Sequence, residues 1–427
     1  MKNESYATTK TMDEAALWPD KRPLLRRLDI ELTERCNNNC IHCYINRPAN
    51  DRAAREREMS TGEVQAILDE AATLGCLTVR FTGGEPLLRP DFEELYLHAR
   101  RLGLKVILFT NATLITPHLA DVLARVPPLE PVSITVYGMK RASYEAVTRA
   151  PGTFEAFWRG MHLLLERGVP FEVKCALLPP NKGEMDEFEA WAATLPGMAR
   201  PPGYVLSLDL RTRRDSEEKN RRIRALRLSP EEGLAMLTRR REQYLEEMRA
   251  FCARFTRPPG DRLFSCGAGK ESGCVDAYGR FQLCMQCRHP DAVYGLRDSS
   301  HCHCEPRSGE AIPNEHAEIA SSPELLLAMT RGTLHDALTN FFPQAREMRA
   351  TNPDYLARCA RCFLKGLCDQ CPAKSWQEHG TLDTPVDYLC QVAHAKARYL
   401  GLLAEGEMAW EVEDWRERIR LFTEQEA

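Results

Sequence analysis

The sequence predicts an α/β fold: a partial (β/α)6 barrel, TIM-like, followed by a cysteine-rich domain with a small β-hairpin and helices. Three observations predict it. Apolar strand-length runs alternate with amphipathic helix patterns through six β/α units between residues 25 and 210, as in a parallel sheet covered by helices. Six units leave such a barrel open on one side, with ligands expected at the C-terminal strand ends. Past residue 258 the alternation stops and cysteines crowd, six at 266–304 and five at 359–390.

The elements follow in order. Leu28–Leu32 alternates like a half-buried strand. Ser60-x-x-Glu63 is a capping box, Val64, Ile67, Leu68, Ala71 and Leu74 mark the helix face behind it, and Gly75 ends the helix. Leu77–Phe81 is the second strand; the next helix carries Phe92, Leu95, Ala99 and Leu102 and stops at Gly103. Lys105–Phe109 is the third strand, and Thr116-Pro117 opens a helix with cap and first-turn residues in order. Val132–Val136 is the fourth strand. A helix over Thr153–Glu166 turns Phe154, Phe157, Met161, Leu164 and Leu165 inward. Phe171–Leu177, a helix near Asp186–Leu195 and a strand near Tyr204–Leu210 complete six units. From Arg211 to Arg249 Arg and Glu are dense, with a helix from Ser229-Pro230; the basic clusters Arg211–Arg214 and Arg239–Arg241 read as a solvated face. Strand signals return only around Cys274–Cys284, and Glu405–Glu426 reads as an amphipathic packing helix.

The 427 residues suffice for two or three domains with sizeable cores. A net charge of −4 gives no global basic field for nucleic acid or an anionic membrane. Residues 1–23 have no signal-peptide core, and no apolar run reaches spanning length, so the expected location is the cytoplasm. Seventeen cysteines in such a chain favour metal or iron–sulfur ligation over disulfides. Cys76, Cys175 and Cys252 stand alone and read as small core hydrophobes.

Cys36-x₃-Cys40-x₂-Cys43 lies on the loop leaving the first strand. Three thiols within eight residues can hold one polynuclear centre. Four irons want four ligands, so one iron would stay open. Gly83-Gly84-Glu85-Pro86 follows the second strand; its glycines permit close backbone approach, and its carboxylate can pair with a ligand ammonium. A zinc loop is the alternative for the thiols, but a fourth local ligand is missing.

These motifs, with Tyr44 following the third cysteine, resemble the radical SAM superfamily. The resemblance implies that Cys36, Cys40 and Cys43 ligate three irons of a catalytic [4Fe–4S] cluster. It implies that the open iron takes the amino and carboxylate groups of S-adenosylmethionine. Tyr44, Gly83, Gly84, Glu85, Asn111, Thr135 and Arg149 become the cofactor-binding candidates, Glu85 at the amino group and Arg149 at the carboxylate. Tyr137 stands where the family usually has an acidic residue.

The C-terminal cysteines resemble the SPASM extension of such enzymes, which carries two auxiliary [4Fe–4S] clusters. By position, Cys266, Cys274, Cys284 and Cys371 would hold the first, and Cys359, Cys362, Cys368 and Cys390 the second. Cys368 and Cys371 are two residues apart where the usual pattern has three. A zinc ribbon is the alternative. Cys287, Cys302 and Cys304 do not map; an extra metal, an alternative first-cluster ligand or idle loop thiols remain open for them.

The implied organisation is an N-terminal extension at 1–24, the partial barrel at 25–210, a helical connector at 211–258, the auxiliary-cluster domain at 259–400 and a C-terminal helix at 401–427. The implied function is reductive cleavage of S-adenosylmethionine and hydrogen abstraction from a ribosomally made peptide, giving a crosslink or an oxidation. Met285 follows Cys284 where sulfatase-maturing relatives carry an aspartate, which disfavours that reaction. A flavodoxin or ferredoxin-type reductant is expected. Since 35 residues precede Cys36, too few for a winged-helix domain, a separate leader-binding protein or leader-independent binding is expected. The alternatives are dehydrogenation or cofactor biosynthesis on a small molecule and, last, a non-catalytic iron–sulfur redox protein.

Overall fold

The computed structural model describes residues 24–198, 200–255, 259–297 and 332–424. Residues 1–23, Cys302 and Cys304 lie outside the described residues. Eleven strands are formed: β1 Arg27–Thr33, β2 Arg35–Cys36, β3 Arg47–Pro48, β4 Thr78–Gly83, β5 Lys105–Thr110, β6 Val132–Val136, β7 Phe171–Ala176, β8 Gly203–Val205, β9 Ser272–Val275, β10 Arg280–Gln282 and β11 Val293–Gly295. All but β2 and β3 join one nine-stranded sheet, ordered β11-β10-β9-β1-β4-β5-β6-β7-β8.

The six parallel strands of the expected barrel are β1 and β4–β8. The cysteine-rich half contributes the rest: β9 pairs parallel with β1, and β10 and β11 continue antiparallel. The hairpin around Cys274–Cys284 thus extends the barrel wall from its first strand.

Strand periodicity decides the two faces. On β1, Leu28, Ile30 and Leu32 are fully buried toward the helices, and Asp29 and Glu31 point the other way. Val64, Ile67, Leu68 and Ala71 of the helix Thr61–Thr73 join that outer core. Burying each large apolar side chain contributes roughly 1.5–3 kcal/mol. The concave face is polar instead: Asp29 pairs with Arg80 at 3.1 Å, and Lys174 sits 3.4 Å over the Phe109 ring. Burial lowers Lys174 to about 8.

Local signals fold as read at several points. Ser60 and Glu63 close the capping box, and Gly75 and Gly103 take left-handed conformations where their helices stop. Cys76, Cys175 and Cys252 are buried. Four readings need correction. β8 ends at Val205; beyond it Ser207 bonds Asp369 at 3.0 Å and Asp209 pairs with Lys374, so the chain leaves β7 for the cysteine-rich half. Leu165 is exposed, because Leu164 fills the core position on its helix. The last helix spans Trp415–Glu424: Glu407 accepts from Ala404 N and pairs with Arg418 at 2.6 Å, folding residues 404–414 back. Arg211 is buried in an ion pair with Asp215, and Arg213 is half-buried in ion pairs with Glu34 and Asp276, so neither is simply solvated. Among the described residues no helix is long and apolar enough to cross a membrane.

Candidate active site

The loop after β1 is closed at its base by the short β2–β3 pair, Cys36 opposite Pro48. It lies at the C-terminal ends of β1, β4, β5 and β6, where barrel folds gather ligands. Within it the Cys43 amide returns to the Cys40 carbonyl at 3.2 Å. Amides donate to the sulfurs: Asn38 N to Cys36 Sγ and Asn46 N to Cys43 Sγ, both at 3.4 Å. The Tyr137 hydroxyl donates to Cys40 Sγ. Asn39 N and Ile41 N tie the loop to the Thr148 and Val147 carbonyls.

The three thiols are mutual electrostatic neighbours. Burial, with Glu85 and the other thiols adding to it, pushes Cys36 well up; burial pushes Cys40 to about 12. Bound cations are what would hold them as thiolates. Burial also lowers His42 to about 4, and its Nδ1 has no hydrogen-bond partner. A neutral imidazole thus sits between the thiols.

Gly83 and Gly84 meet the chain's own backbone. A Cβ at Gly83 would strike the Thr33 carbonyl oxygen, and one at Gly84 the Arg35 carbonyl. The close pass is fastened by Gly84 N to Thr33 O at 2.7 Å and Glu85 N to Arg35 O at 2.9 Å. Glu85 is fully buried and accepts from Thr110 Oγ1 and Asn111 N at 2.8 Å and Leu87 N at 3.1 Å. Burial raises it to about 7 against those donors. Asn111 carries the link onward, donating to Asn37 Oδ1 at 3.0 Å and reaching Cys36 Sγ at 3.8 Å. One polar chain therefore joins Glu85, Asn111 and the Cys36 end of the loop.

The other candidates lie around this chain. Thr135 is half-buried on the concave face of β6, opposite Lys174. Arg149 is exposed at the left-handed end of helix Arg141–Thr148, one residue past the carbonyl that anchors Asn39. The Tyr44 hydroxyl reaches Met285 Sδ at 4.0 Å, joining the first cysteine loop to the cysteine-rich half.

Two further groups of thiols form there. Cys359, Cys362, Cys368 and Cys390 line one cavity with Gln370 and His394, and His394 Nδ1 lies 3.5 Å from Cys390 Sγ. Cys284 has Cys371 and Cys266 as electrostatic neighbours, and Cys371 caps the helix Pro372–His379. Cys274 is placed apart from them on the β9–β1 ladder opposite Asp29, fully buried, with Glu31 and Asp29 its foremost charged neighbours. Among the described residues no three or more His, Cys, Asp or Glu side chains are set to hold a single metal ion.

Sequence reasoning missed the buried ion network between the two cysteine regions. Arg288 pairs with Glu31 at 2.6 Å and Asp276 at 3.3 Å, and Arg213 pairs with Asp276 at 3.1 Å. Burial raises Glu31 to about 7 despite Arg288. The charges come from strands distant in sequence, and no local pattern marks them. Tyr137 did carry a signal, standing where an acidic residue is usual.

Comparison with known proteins gives three kinds of likeness. Residues 30–192 match the profile of the Radical SAM superfamily. The AdoMet-dependent heme synthase of Methanosarcina barkeri is 33% identical over 155 residues, covering 36% of this chain and 43% of that one. The PqqA peptide cyclase of Gluconobacter oxydans is 31% identical over 165 residues, covering 39% of this chain and 45% of that one. The chain thus spans less than half the length of these relatives. The structure of native anSMEcpe with bound AdoMet and Kp18Cys peptide superposes with a TM-score of 0.54, at 14% identity, over 93% of this chain and 98% of that one. At that identity the likeness is one of fold, and it extends through the cysteine-rich half.

Proposed function

We propose that this chain is a radical SAM enzyme, as the match of residues 30–192 to that superfamily supports, and that it takes a hydrogen atom from a peptide substrate and oxidises or crosslinks it. In this reading Cys36, Cys40 and Cys43 hold a [4Fe–4S] cluster with one open iron for S-adenosylmethionine. A four-iron cube spreads its thiolates wider than a single ion does. Amide donors at Cys36 and Cys43 and the Tyr137 hydroxyl at Cys40 suit anionic sulfur. When bound, the cluster supplies the low-potential electron that splits S-adenosylmethionine and yields a hydrogen-abstracting 5′-deoxyadenosyl group.

The chain's own residues position and exclude. Gly83 and Gly84 bring the β4 exit against the β1 exit. Glu85 holds Asn111, and Asn111 holds the Cys36 end of the loop, so the site is set before any ligand arrives. Tyr44 against Met285 closes the side facing the cysteine-rich half. There Cys359, Cys362, Cys368 and Cys390 would hold one auxiliary [4Fe–4S] cluster, and Cys266, Cys284 and Cys371 belong to a second. Such clusters give an oxidation somewhere to send its electron. A flavodoxin or ferredoxin-type protein would supply the first electron.

The observation that carries this reading is the chain Glu85–Asn111–Cys36 at the strand ends. The test is anaerobic reconstitution with dithionite and S-adenosylmethionine. We expect 5′-deoxyadenosine from the native chain and none from a Cys36→Ala, Cys40→Ala, Cys43→Ala variant; a reconstituted native chain that makes none overturns the proposal. Supporting the peptide is the PqqA peptide cyclase likeness. The heme synthase likeness favours a second reading, a small-molecule substrate. Mass spectrometry of a short peptide encoded beside the gene, co-expressed with the enzyme, separates them: loss of hydrogen from that peptide supports the first.

A further inference from the structure

We propose that Cys287, rather than Cys274, completes the first auxiliary site with Cys266, Cys284 and Cys371. The inference rests on the reading above that auxiliary clusters occupy the cysteine-rich half. Four observations carry it.

Cys284 and Cys287 form the same turn as the pairs Cys40–Cys43 and Cys359–Cys362, a turn that Cys368–Cys371 does not form. The Cys287 amide returns to the Cys284 carbonyl at 3.2 Å, as Cys43 returns to Cys40 at 3.2 Å and Cys362 to Cys359 at 3.4 Å. In each turn both thiols leave one short loop.

The thiols of this group lie beside backbone amides that favour their anionic form. Backbone amides of Gln286 and Cys287 act to lower Cys284 against its burial, that of His289 to lower Cys287, and those of Lys374 and Ala373 to lower Cys371. Cys371 is the N-cap of an eight-residue helix, whose positive dipole end favours a thiolate.

The turn is fixed against the helix that Cys371 begins. Gln377 Nε2 donates to Gln286 O at 3.4 Å, and the His289 and Trp376 rings lie 4.9 Å apart. Gln286 Nε2 also donates to Asp209 at 2.6 Å, and Asp209 pairs with Lys374 of the same helix. Cys287 is fully buried, with Cys284, Cys371 and Cys266 all among its electrostatic neighbours.

Cys274 has the opposite surroundings. It stands on a strand paired on both sides, with Asp29 and Gln282 as its partners. Its Sγ lies 3.8 Å from the Val275 carbonyl, and Glu31 and Asp29 are its foremost charged neighbours, ahead of the Arg288 cation and Asp276. A thiolate there would face carboxylates, which disfavour it.

The test uses the full chain carrying Cys36→Ala, Cys40→Ala and Cys43→Ala, so that iron reports on the auxiliary sites alone. After anaerobic reconstitution this background should hold about eight irons, two four-iron clusters. Adding Cys287→Ala should lower the count to about four and remove one of two electron paramagnetic resonance signals. Adding Cys274→Ala should change neither. In the same background Cys287→Ser, which keeps an oxygen ligand, should retain iron and shift one signal; this arm stands even if the alanine variant misfolds. The proposal is overturned if Cys274→Ala empties a site, if Cys287→Ala leaves both filled, or if Cys287→Ser leaves both signals unmoved. A background that binds no iron at all marks instead the failure of the auxiliary-cluster reading, and the proposal falls with it.

Discussion

The loop at 36–46 and the turn at 284–287 share a local design and differ in how they are held. Each sets two thiols across a turn closed at 3.2 Å. The first has its third thiol on the same loop, at Cys36, and is fastened by backbone, through the β2–β3 pair at its base and the Val147 and Thr148 carbonyls that end the helix Arg141–Thr148. The second has its companions at Cys266 and Cys371, and is held by side chains from distant segments: Asp209, Gln377 and Trp376. A site made by one loop depends on that loop's conformation. A site assembled from several segments depends on whatever clamps them together.

Arg288 is the clamp nearest the second site, and its loss should break the comparison most strongly. Its guanidinium is buried between Glu31 of β1 and Asp276 past β9. Arg288→Ala leaves those carboxylates buried with a missing partner, which costs on the order of 3–5 kcal/mol. We expect a clear fall in the thermal midpoint and loss of auxiliary iron before loss of the iron held by the 36–43 loop. Equal loss from both sites in iron counts during a thermal ramp would show that the two are not held separately.

The same difference explains what was legible in the sequence. The barrel strands were legible because helical and strand periodicities alternate cleanly through residue 176, and the end of β8 was not because side-chain bonds past Val205 draw the chain away. The loop of Cys36, Cys40 and Cys43 was legible because all its thiols are local. Spacing alone matched Cys274 to the first auxiliary group, whereas the β9–β1 pairing turns it toward Asp29 and Glu31. Which face a cysteine takes on a strand is decided by register, and register with a strand about 245 residues earlier leaves no mark in local sequence. Arg213 read as solvated for the same reason, since Glu34 and Asp276 lie far from it in the chain.

Two substitutions sharpen the comparison from the side of the first loop. Gly84→Ala drives a Cβ into the Arg35 and Glu34 carbonyls, where backbone must move. Overpacking of this kind costs typically about 1–3 kcal/mol. We expect 5′-deoxyadenosine formation to fall steeply while auxiliary iron is unchanged. Tyr137→Phe is gentler, removing one donor from Cys40 and costing about 1 kcal/mol. Fewer donors to sulfur disfavour the reduced cluster, so a redox titration followed by paramagnetic resonance should show a more negative potential for the catalytic cluster alone. A change in the auxiliary signals would mean that Tyr137 acts through the fold.

The smallest effect concerns the joint between the two regions. Arg297, past β11, grips Glu63 of the Ser60 capping box at 2.8 and 2.6 Å. Burial raises the Glu63 carboxyl, but the Arg297 bonds and the Ser60 amide and hydroxyl outweigh it and hold the group at about 2. The folded value lies below the ordinary one of 4.5, so this stabilisation is present above pH 4.5 and drains away as pH falls toward 2. The group is 21% exposed on its side chain, so solvent screening keeps the pair's contribution to about 1 kcal/mol or less. Urea midpoints between pH 5 and pH 2.5 should fall less steeply for Glu63→Gln than for the native chain, because the glutamine has no proton to gain. Parallel curves would show that the hairpin side stays fastened to the barrel without this pair, with the β9–β1 ladder and Arg288 carrying the attachment.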